Sequence, residues 1–412
     1  MRIFLKNKIF RLNVIGTFIS HIGQYLFNTV FIVYAANVYK SELAVSIASF
    51  IAMFPLVFDL ILGILADSTK NKKKYIYMIA WIQGHLFVGA YFIIGHNSLL
   101  SFATLTFINL ISDLMGMYAG NLEYSYFNKI VPQEDIREAS LFGSVVYRLK
   151  AIIGPTLGVV LLKVSNNNYQ IITLINALAF MIYAVIARRV YRNLEDPKVL
   201  EKESLETKFK ETIKNVISIY KEKEEDTKEA VTLLLTESFN GSMGTAINNM
   251  LVISFVANPI FNIPFEDINL FISLSISIIA ILSGLFANDI FSKWSIRKLF
   301  WWQLIPKAIY VILFALNTDI SRLIGWIIFL ISFYIGVKTG PQLKSSLFEK
   351  VDEGRIASVT SGWSFITTAS IPLVTGLMLF IYNINIYLAW GIAILTTFVN
   401  IIIYKKNVKI LN

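Results

Sequence analysis

The apolar runs constrain this chain more than any other feature. Stretches of about 20 predominantly apolar residues, the length that crosses a hydrocarbon core about 30 Å thick, recur between short charged or turn-rich breaks. Twelve such spans fall near 12–38, 43–66, 75–95, 98–127, 140–162, 169–187, 231–257, 267–290, 299–316, 321–347, 357–382 and 385–404. Charged residues are 16% of the 412, against roughly 25% in a soluble protein, and hydrophobic ones are 56%. Mean hydropathy is +0.62. A soluble domain has nowhere to hide that surface, so the expectation is an all-α polytopic membrane protein. A secreted enzyme, a disordered scaffold and a nucleic-acid binder are excluded, despite a net charge of +10. The basic start, Met1 to Arg11, precedes an apolar run reaching about Tyr39. That run is too long for a cleavable signal and reads as a retained first span.

Chemistry is bounded just as firmly. There is no cysteine, so disulfides and thiolate metal sites are excluded. His21, His85 and His96 are too far apart in sequence to suggest a metal cluster. No phosphate-cradling Gly-x-x-x-x-Gly-Lys-Ser/Thr occurs, and no His/Asp/Glu cluster stands out near one interface. Neither an enzyme, a metal nor a cofactor is expected.

Cations set the orientation. One set of hairpin tips holds only Lys40, Lys163 and Arg322; the other side holds Arg2, Lys6, Lys8, Arg11, Lys70, Lys72, Lys73, Lys74, Lys293, Arg297, Lys298, Lys405, Lys406 and Lys409. This bias places both termini in the cytoplasm. Residues 1–188 and 230–412 form two six-span bundles, and 189–229 is a cytoplasmic linker. Asp196-Pro197 reads as a helix entry. Phe209, Ile213, Val216, Ile217 and Tyr220 then recur at helical spacing. The segment is either an amphipathic helix on the membrane surface or a solvated linker helix.

The halves repeat each other. At an offset of 221, Gly23, Asn28, Ala36 and Asn37 match Gly244, Asn249, Ala257 and Asn258, and Phe50, Gly63 and Ala66 match Phe271, Gly284 and Ala287. At 220, Ser112, Gly116 and Gly120 match Ser332, Gly336 and Gly340. At 218, Arg137, Ser140 and Gly158 match Arg355, Ser358 and Gly376. The matches run in one order and one orientation, which makes a parallel repeat about an axis along the membrane normal. Gly116 and Gly120, like Gly336 and Gly340, lie four apart on one helix face, suited to static close packing or to sliding.

A parallel six-plus-six repeat with a basic central loop resembles the major facilitator superfamily over the whole chain. Gly63-Ile64-Leu65-Ala66-Asp67-Ser68-Thr69-Lys70-Asn71-Lys72 is similar to the family's loop motif Gly-x-Leu-Ala-Asp-Arg-x-Gly-Arg-Arg/Lys, with Ser68 and Lys70 departing from it. The echo is Gly284-Leu285-Phe286-Ala287-Asn288-Asp289. Val131 to Ser140 resembles the macrolide-efflux-like branch. Gly154-Pro155-Thr156-Leu157-Gly158 is similar to the drug-exporter motif of span 5, with Val159 in place of its last Gly. A plain kink with close packing is the other reading of these residues. Span 4 lacks the Arg that proton-coupled drug antiporters often carry.

The resemblance implies a conformational latch. Gly63, Asp67 and Lys72 would dock on the start of span 11 at Arg355, and Asp289 or Asn288 would dock on Arg137 at the start of span 5. It further implies a monomer in a bacterial cytoplasmic membrane, exporting amphipathic small molecules by rocker-switch alternating access. An importer, a lipid flippase, and a non-transporting sensor or immunity protein remain alternatives.

Ionisable residues inside spans cost roughly 2.5–3.5 kcal/mol each unless paired or wet. Here they include Asp59, Asp113, Glu123, Arg148, Lys150, Glu237, Lys307 and Lys338. Asp113 with Arg148 is one pairing that would neutralise both. Asp113 and Glu237 are the candidate proton-binding carboxylates, with protons the expected coupling ion. His21, Asn28, Asn249, Arg148 and Lys338 complete the candidate proton or substrate site. Tyr25, Tyr34, Tyr118, Tyr147, Asn248, Tyr334 and Trp363 are candidate cavity-wall residues, suited to cationic amphiphiles. The cluster Lys70 to Lys74 reads as an anchor to anionic lipid.

Overall fold

The computed structural model describes residues 2–39, 44, 47–48, 51–52, 54–197, 199, 205–221, 226–257, 265–286 and 289–408. Met1, Lys40, Phe50, Asn258, Ala287, Asn288 and Lys409, named above, lie outside these residues. The described residues form helices and connecting turns, with no strand among them.

The spans become helices in the expected order. Spans 1 and 3 to 6 are Lys8–Tyr34, Lys72–Ile93, Leu99–Tyr124, Ile136–Val164 and Tyr169–Tyr191. The described end of span 2 is Asp59–Ser68. Spans 7 to 9 are Thr227–Ala257, Phe265–Leu285 and Ile296–Leu316. Span 12 is Ile386–Asn407. Polar side chains fix where several helices begin. Ser98, Asn168, Ser295 and Asn385 each accept a hydrogen bond from a first-turn amide, and Thr318 forms a capping box with Ser321. Among the described residues, eight helical segments are long and apolar enough to cross a membrane by length and composition, two of them the runs of spans 10 and 11 taken whole.

Spans 10 and 11 are not the single runs the hydropathy suggested. Span 10 divides into Asp319–Val337 and Thr339–Lys350 at Lys338. Span 11 divides into Ile356–Thr368 and Ile371–Ile384 at Ala369-Ser370. Pro372 explains the second break: it has no N–H to bond Thr368 O, and it disfavours helical geometry in the residue before it. The linker differs from expectation too. Asp196-Pro197 opens no helix; Asp196 instead accepts a hydrogen bond from the Tyr126 hydroxyl. The linker helix is Leu205–Ile219.

The chain divides into two compact units, Met1–Thr212 with Val351–Gly362, and Ile213–Lys350 with Trp363–Asn412. The first unit packs span 1 on spans 5 and 6, span 3 on spans 4 and 6, and span 2 on span 4. The second packs span 7 on spans 11 and 12, span 9 on spans 10 and 12, and span 8 on span 10. These are the same pairings shifted by six, so the repeat read from the sequence is also a repeat of packing. In the first unit the core is a phenylalanine ladder, with Phe27 against Phe87 at 4.6 Å and Phe87 against Phe180 at 5.7 Å between ring centroids. In the second it is built on Tyr310, Phe314, Trp326 and Trp390.

The repeat reaches individual side chains. Gln83 in span 3 donates to Ser112 O at 2.9 Å and to Ser112 Oγ at 3.2 Å. A Cβ on Gly116 would sit 3.2 Å from its amide nitrogen. At an offset of 220, Ser332 Oγ donates to Gln303 O at 3.0 Å, and the Gln303 amide fills the space a Cβ on Gly336 would need. These glycines admit a buried amide rather than a second backbone. Gly120 and Gly340 have no neighbour within 4 Å of a built Cβ, so they form no close-packing face in this state.

Candidate functional site: a loop latch and a buried carboxylate

The last carbonyls of a helix lack intrahelical donors. At the end of span 2, Lys72 supplies them. Its side chain is 1% exposed, and its ammonium donates to the carbonyls of Ala66, Asp67 and Thr69, the last two at 3.0 Å. Asn71 turns the chain through a left-handed conformation at φ 53°, which asparagine tolerates. The loop so fixed presents the Asp67 carboxylate to the helix Ile356–Thr368. One oxygen accepts from Ala357 N–H at 3.0 Å and the other from Ser358 N–H at 2.8 Å. These are first-turn amides with no intrahelical acceptor, where a negative charge is favoured. Asp67 therefore bonds the backbone rather than the Arg355 guanidinium. Arg355 instead lines a cavity of about 10 Å³ beside Asp67, Ser68, Lys208 and Ser358. Gly63 makes the approach possible: a Cβ there would strike Ser361 Oγ and come within 2.8 Å of Ala357 O. Lys208 donates to Ser68 Oγ at 2.6 Å. All these residues belong to the first unit.

The corresponding loop after span 8 is closed by a lysine from elsewhere in the chain. Lys338, 2% exposed, donates to Ser283 O and Phe286 O at 2.6 Å and pairs with Asp289 at 3.1 Å. Tyr334 also donates to Asp289. Lys338 thus does for span 8 what Lys72 does for span 2, and it sits at the break in span 10. Arg137 is exposed at the start of span 5.

Asp113 lies mid-span in Leu99–Tyr124 and is 6% exposed. Its partners are neutral. Gln24 donates to one carboxylate oxygen at 2.7 Å, and Asn28 donates to the other at 3.4 Å. The suggested pairing with Arg148 is not formed; Arg148 is partly buried one helix away, next to exposed Tyr147. The amides win because Gln24 and Asn28 are four apart on the face of span 1 that meets Asp113. Asn28 Oδ1 is buried with no hydrogen-bond partner among the described residues. His21 Nδ1 lies 2.6 Å from Thr17 O and 3.1 Å from Lys150 Nζ. Gly154 and Gly158 bring span 5 onto span 1: built Cβ atoms would lie 2.5 Å from Tyr25 Cβ and 3.0 Å from Leu26 O. Pro155 sits inside the continuous helix between them.

In the second unit, Glu237 accepts from the Tyr220 hydroxyl, and Trp363 Nε1 donates to that hydroxyl at 2.8 Å. Tyr220, Val216 and Ile219 are all at most 2% exposed. The apolar side of the linker helix's second half is therefore covered by protein, not spread on a membrane surface. Lys307 donates to Asn240 O at 3.1 Å and to the Asn240 side chain. Asn249 is partly buried on span 7.

Sequence reasoning missed Gln24, although its four-residue spacing from Asn28 was visible. Of the candidate wall tyrosines, Tyr34 proves to be core. It packs on Tyr169 at 5.0 Å, and Tyr118 bonds Thr69.

The profile of the Major Facilitator Superfamily matches residues 14–371. A bacterial homologue of the iron transporter ferroportin, in an outward-facing state, aligns with a TM-score of 0.74 at 14% identity, covering 97% of this chain and 99% of its own. The E. coli fucose:proton symporter FucP aligns with a TM-score of 0.65 at 12% identity, covering 97% and 98%. No curated protein sequence matches the chain. The helical repeat, the spans and the family match together make this a multi-pass membrane protein of transporter fold: the chain belongs to the Major Facilitator Superfamily.

Proposed function

We propose that the protein is a proton-coupled exporter of amphipathic small molecules, working by alternating access in a bacterial cytoplasmic membrane with both termini cytoplasmic. The observation that carries this reading is the setting of Asp113: buried mid-span and held by two neutral amides. A carboxylate taken out of water must be held by hydrogen bonds, a cation or a proton, and here no cation is beside it among the described residues. The same amides serve both states. The charged form accepts from Gln24 and Asn28. The protonated form needs an acceptor, and the unpartnered Asn28 Oδ1 supplies one after a half-turn of the amide. Proton uptake and release thus need little rearrangement there, and substrate or helix movement near spans 1, 4 and 5 biases which form is held.

Export is supported by the close packing of span 5 on span 1 through Gly154 and Gly158, the residues of the exporter-like motif. One of the similar folds is a fucose:proton symporter, so proton coupling is compatible with this architecture. The test is accumulation of macrolides, dyes and cationic amphiphiles in an efflux-deficient bacterial host, with and without the protein and a protonophore. Lower accumulation, reversed by the protonophore, is the expected result. Unchanged accumulation across the panel contradicts drug-like export.

A further inference from the structure

Span 3 carries one stripe that neither the latch nor the buried carboxylate uses. Lys74, Met78, Trp81, Ile82, His85 and Gly89 follow at helical spacing, and all but the partly buried Met78 are exposed. From Met78 onward the stripe is the floor of a groove of about 550 Å³, closed on one side by Ile108 of span 4 and ending at Ile93. Its lining is almost wholly apolar. Gly89 makes the notch: a built Cβ there has no atom within 4 Å. A groove on the outer surface of a membrane-spanning helix faces lipid, not water.

Its length and its charged end identify the occupant. Met78 to Gly89 spans about 16 Å along the axis, close to the depth of one leaflet, about 15 Å. One turn beyond Met78 the stripe ends at Lys74, about 6 Å further along. Lys74 is the lysine of its cluster left for an outside ligand. Lys72 is buried on the span 2 carbonyls, and Lys73 donates to Leu194 O at 3.1 Å. Lys74 is exposed, and no side-chain hydrogen bond or ion pair engages it among the described residues.

We infer that this stripe is a binding site for one anionic phospholipid, with its phosphate at Lys74 and an acyl chain in the groove over Gly89. A convex helix face gives a lipid chain only sliding contact, whereas here the chain has a floor on span 3 and a wall at Ile108 of span 4. The lysine then selects the headgroup charge.

The test uses purified full-length protein and native mass spectrometry with phosphatidylglycerol and phosphatidylcholine of matched chains. The unmodified protein is expected to retain one phosphatidylglycerol in preference to phosphatidylcholine. Gly89→Phe starts from a Cβ position with no neighbour within 4 Å, fills the notch, and is expected to cut single-lipid occupancy at least fivefold for either headgroup. Lys74→Gln is expected to cut phosphatidylglycerol occupancy about fivefold, the weight of one cation near a surface, and to leave phosphatidylcholine unchanged. On the unmodified protein, phosphatidylglycerol with a photoreactive group midway along its chain is expected to label the segment 78–93. Equal retention of the two lipids, wild-type binding by Gly89→Phe, or label spread evenly over the spans would each overturn the assignment.

Discussion

The Asp67 contact can be weighed by a change of a single atom. Asp67→Asn keeps the shape but replaces one carboxylate oxygen with an NH2 group that faces an amide N–H. One of the two hydrogen bonds, at 3.0 and 2.8 Å, is lost, and the remaining one is no longer charge-assisted. A charge-assisted hydrogen bond contributes about 1.5–3 kcal/mol, and loss of the charge at the helix N-terminus costs up to about 1 more. A cost of about 2 kcal/mol corresponds to about a 30-fold shift in the open-to-closed ratio of the latch. The native chain has no cysteine, so one introduced thiol reports without background. Ser361, 1% exposed and lying under Gly63, is the position to use. The rate at which maleimide modifies Ser361→Cys measures how often the contact opens. Adding Asp67→Asn should raise that rate about 30-fold, and Asp67→Ala should raise it at least as much. A rate within threefold of the parent would refute the reasoning, because the amides would then be satisfied without the carboxylate.

Other expectations follow from the same geometry. Gly63→Val should also open the latch, since its side chain displaces Ser361 and Ala357; the same thiol assay should show modification at least tenfold faster than in the parent. Gly154→Leu should lower the thermal midpoint in detergent, because its Cβ meets Tyr25 Cβ at 2.5 Å and overpacking costs about 1–3 kcal/mol. Tyr220→Phe removes the hydroxyl between Glu237 and Trp363; it should cost about 1–3 kcal/mol and speed proteolysis of the linker. Gln83→Leu removes the amide that donates to Ser112 and should cost about 1–2 kcal/mol. Gln303→Leu keeps the backbone carbonyl to which Ser332 donates and should lower the midpoint less; equal losses would show that the Ser332 bond is not what holds this pair of helices.

Much of this architecture was legible in the sequence because it rests on periodicity and length. Runs of about 20 apolar residues have only one way to satisfy their backbone in lipid. The ordered glycine matches exposed the repeat. Lys72 and Asp67 were visible through the loop motif. What stayed hidden depends on which neutral group faces which charge. Asp113 looked as though it needed Arg148, since charge is the only partner that a linear reading can count. Gln24 and Asn28 answer it instead, and nothing in their composition marks them as partners. Gly116 and Gly336 looked like helix-packing residues, whereas each makes room for a glutamine from the preceding span. The linker helix showed its amphipathic face but not the protein surface that covers Tyr220. Lys338 was visible as a charge inside span 10, but its partners were hidden because its acceptors, Ser283 O and Phe286 O, are backbone atoms that every residue possesses.

The central claim is that Asp113 carries the proton that drives transport. The direct measurement is proton movement in inverted membrane vesicles on addition of an exported substrate, for the native chain and for Asp113→Asn. The account predicts substrate-dependent proton release in the native vesicles. In Asp113→Asn it predicts loss of that signal and of accumulation driven by a pH gradient, with substrate binding retained. Full pH-driven accumulation in Asp113→Asn vesicles would contradict it.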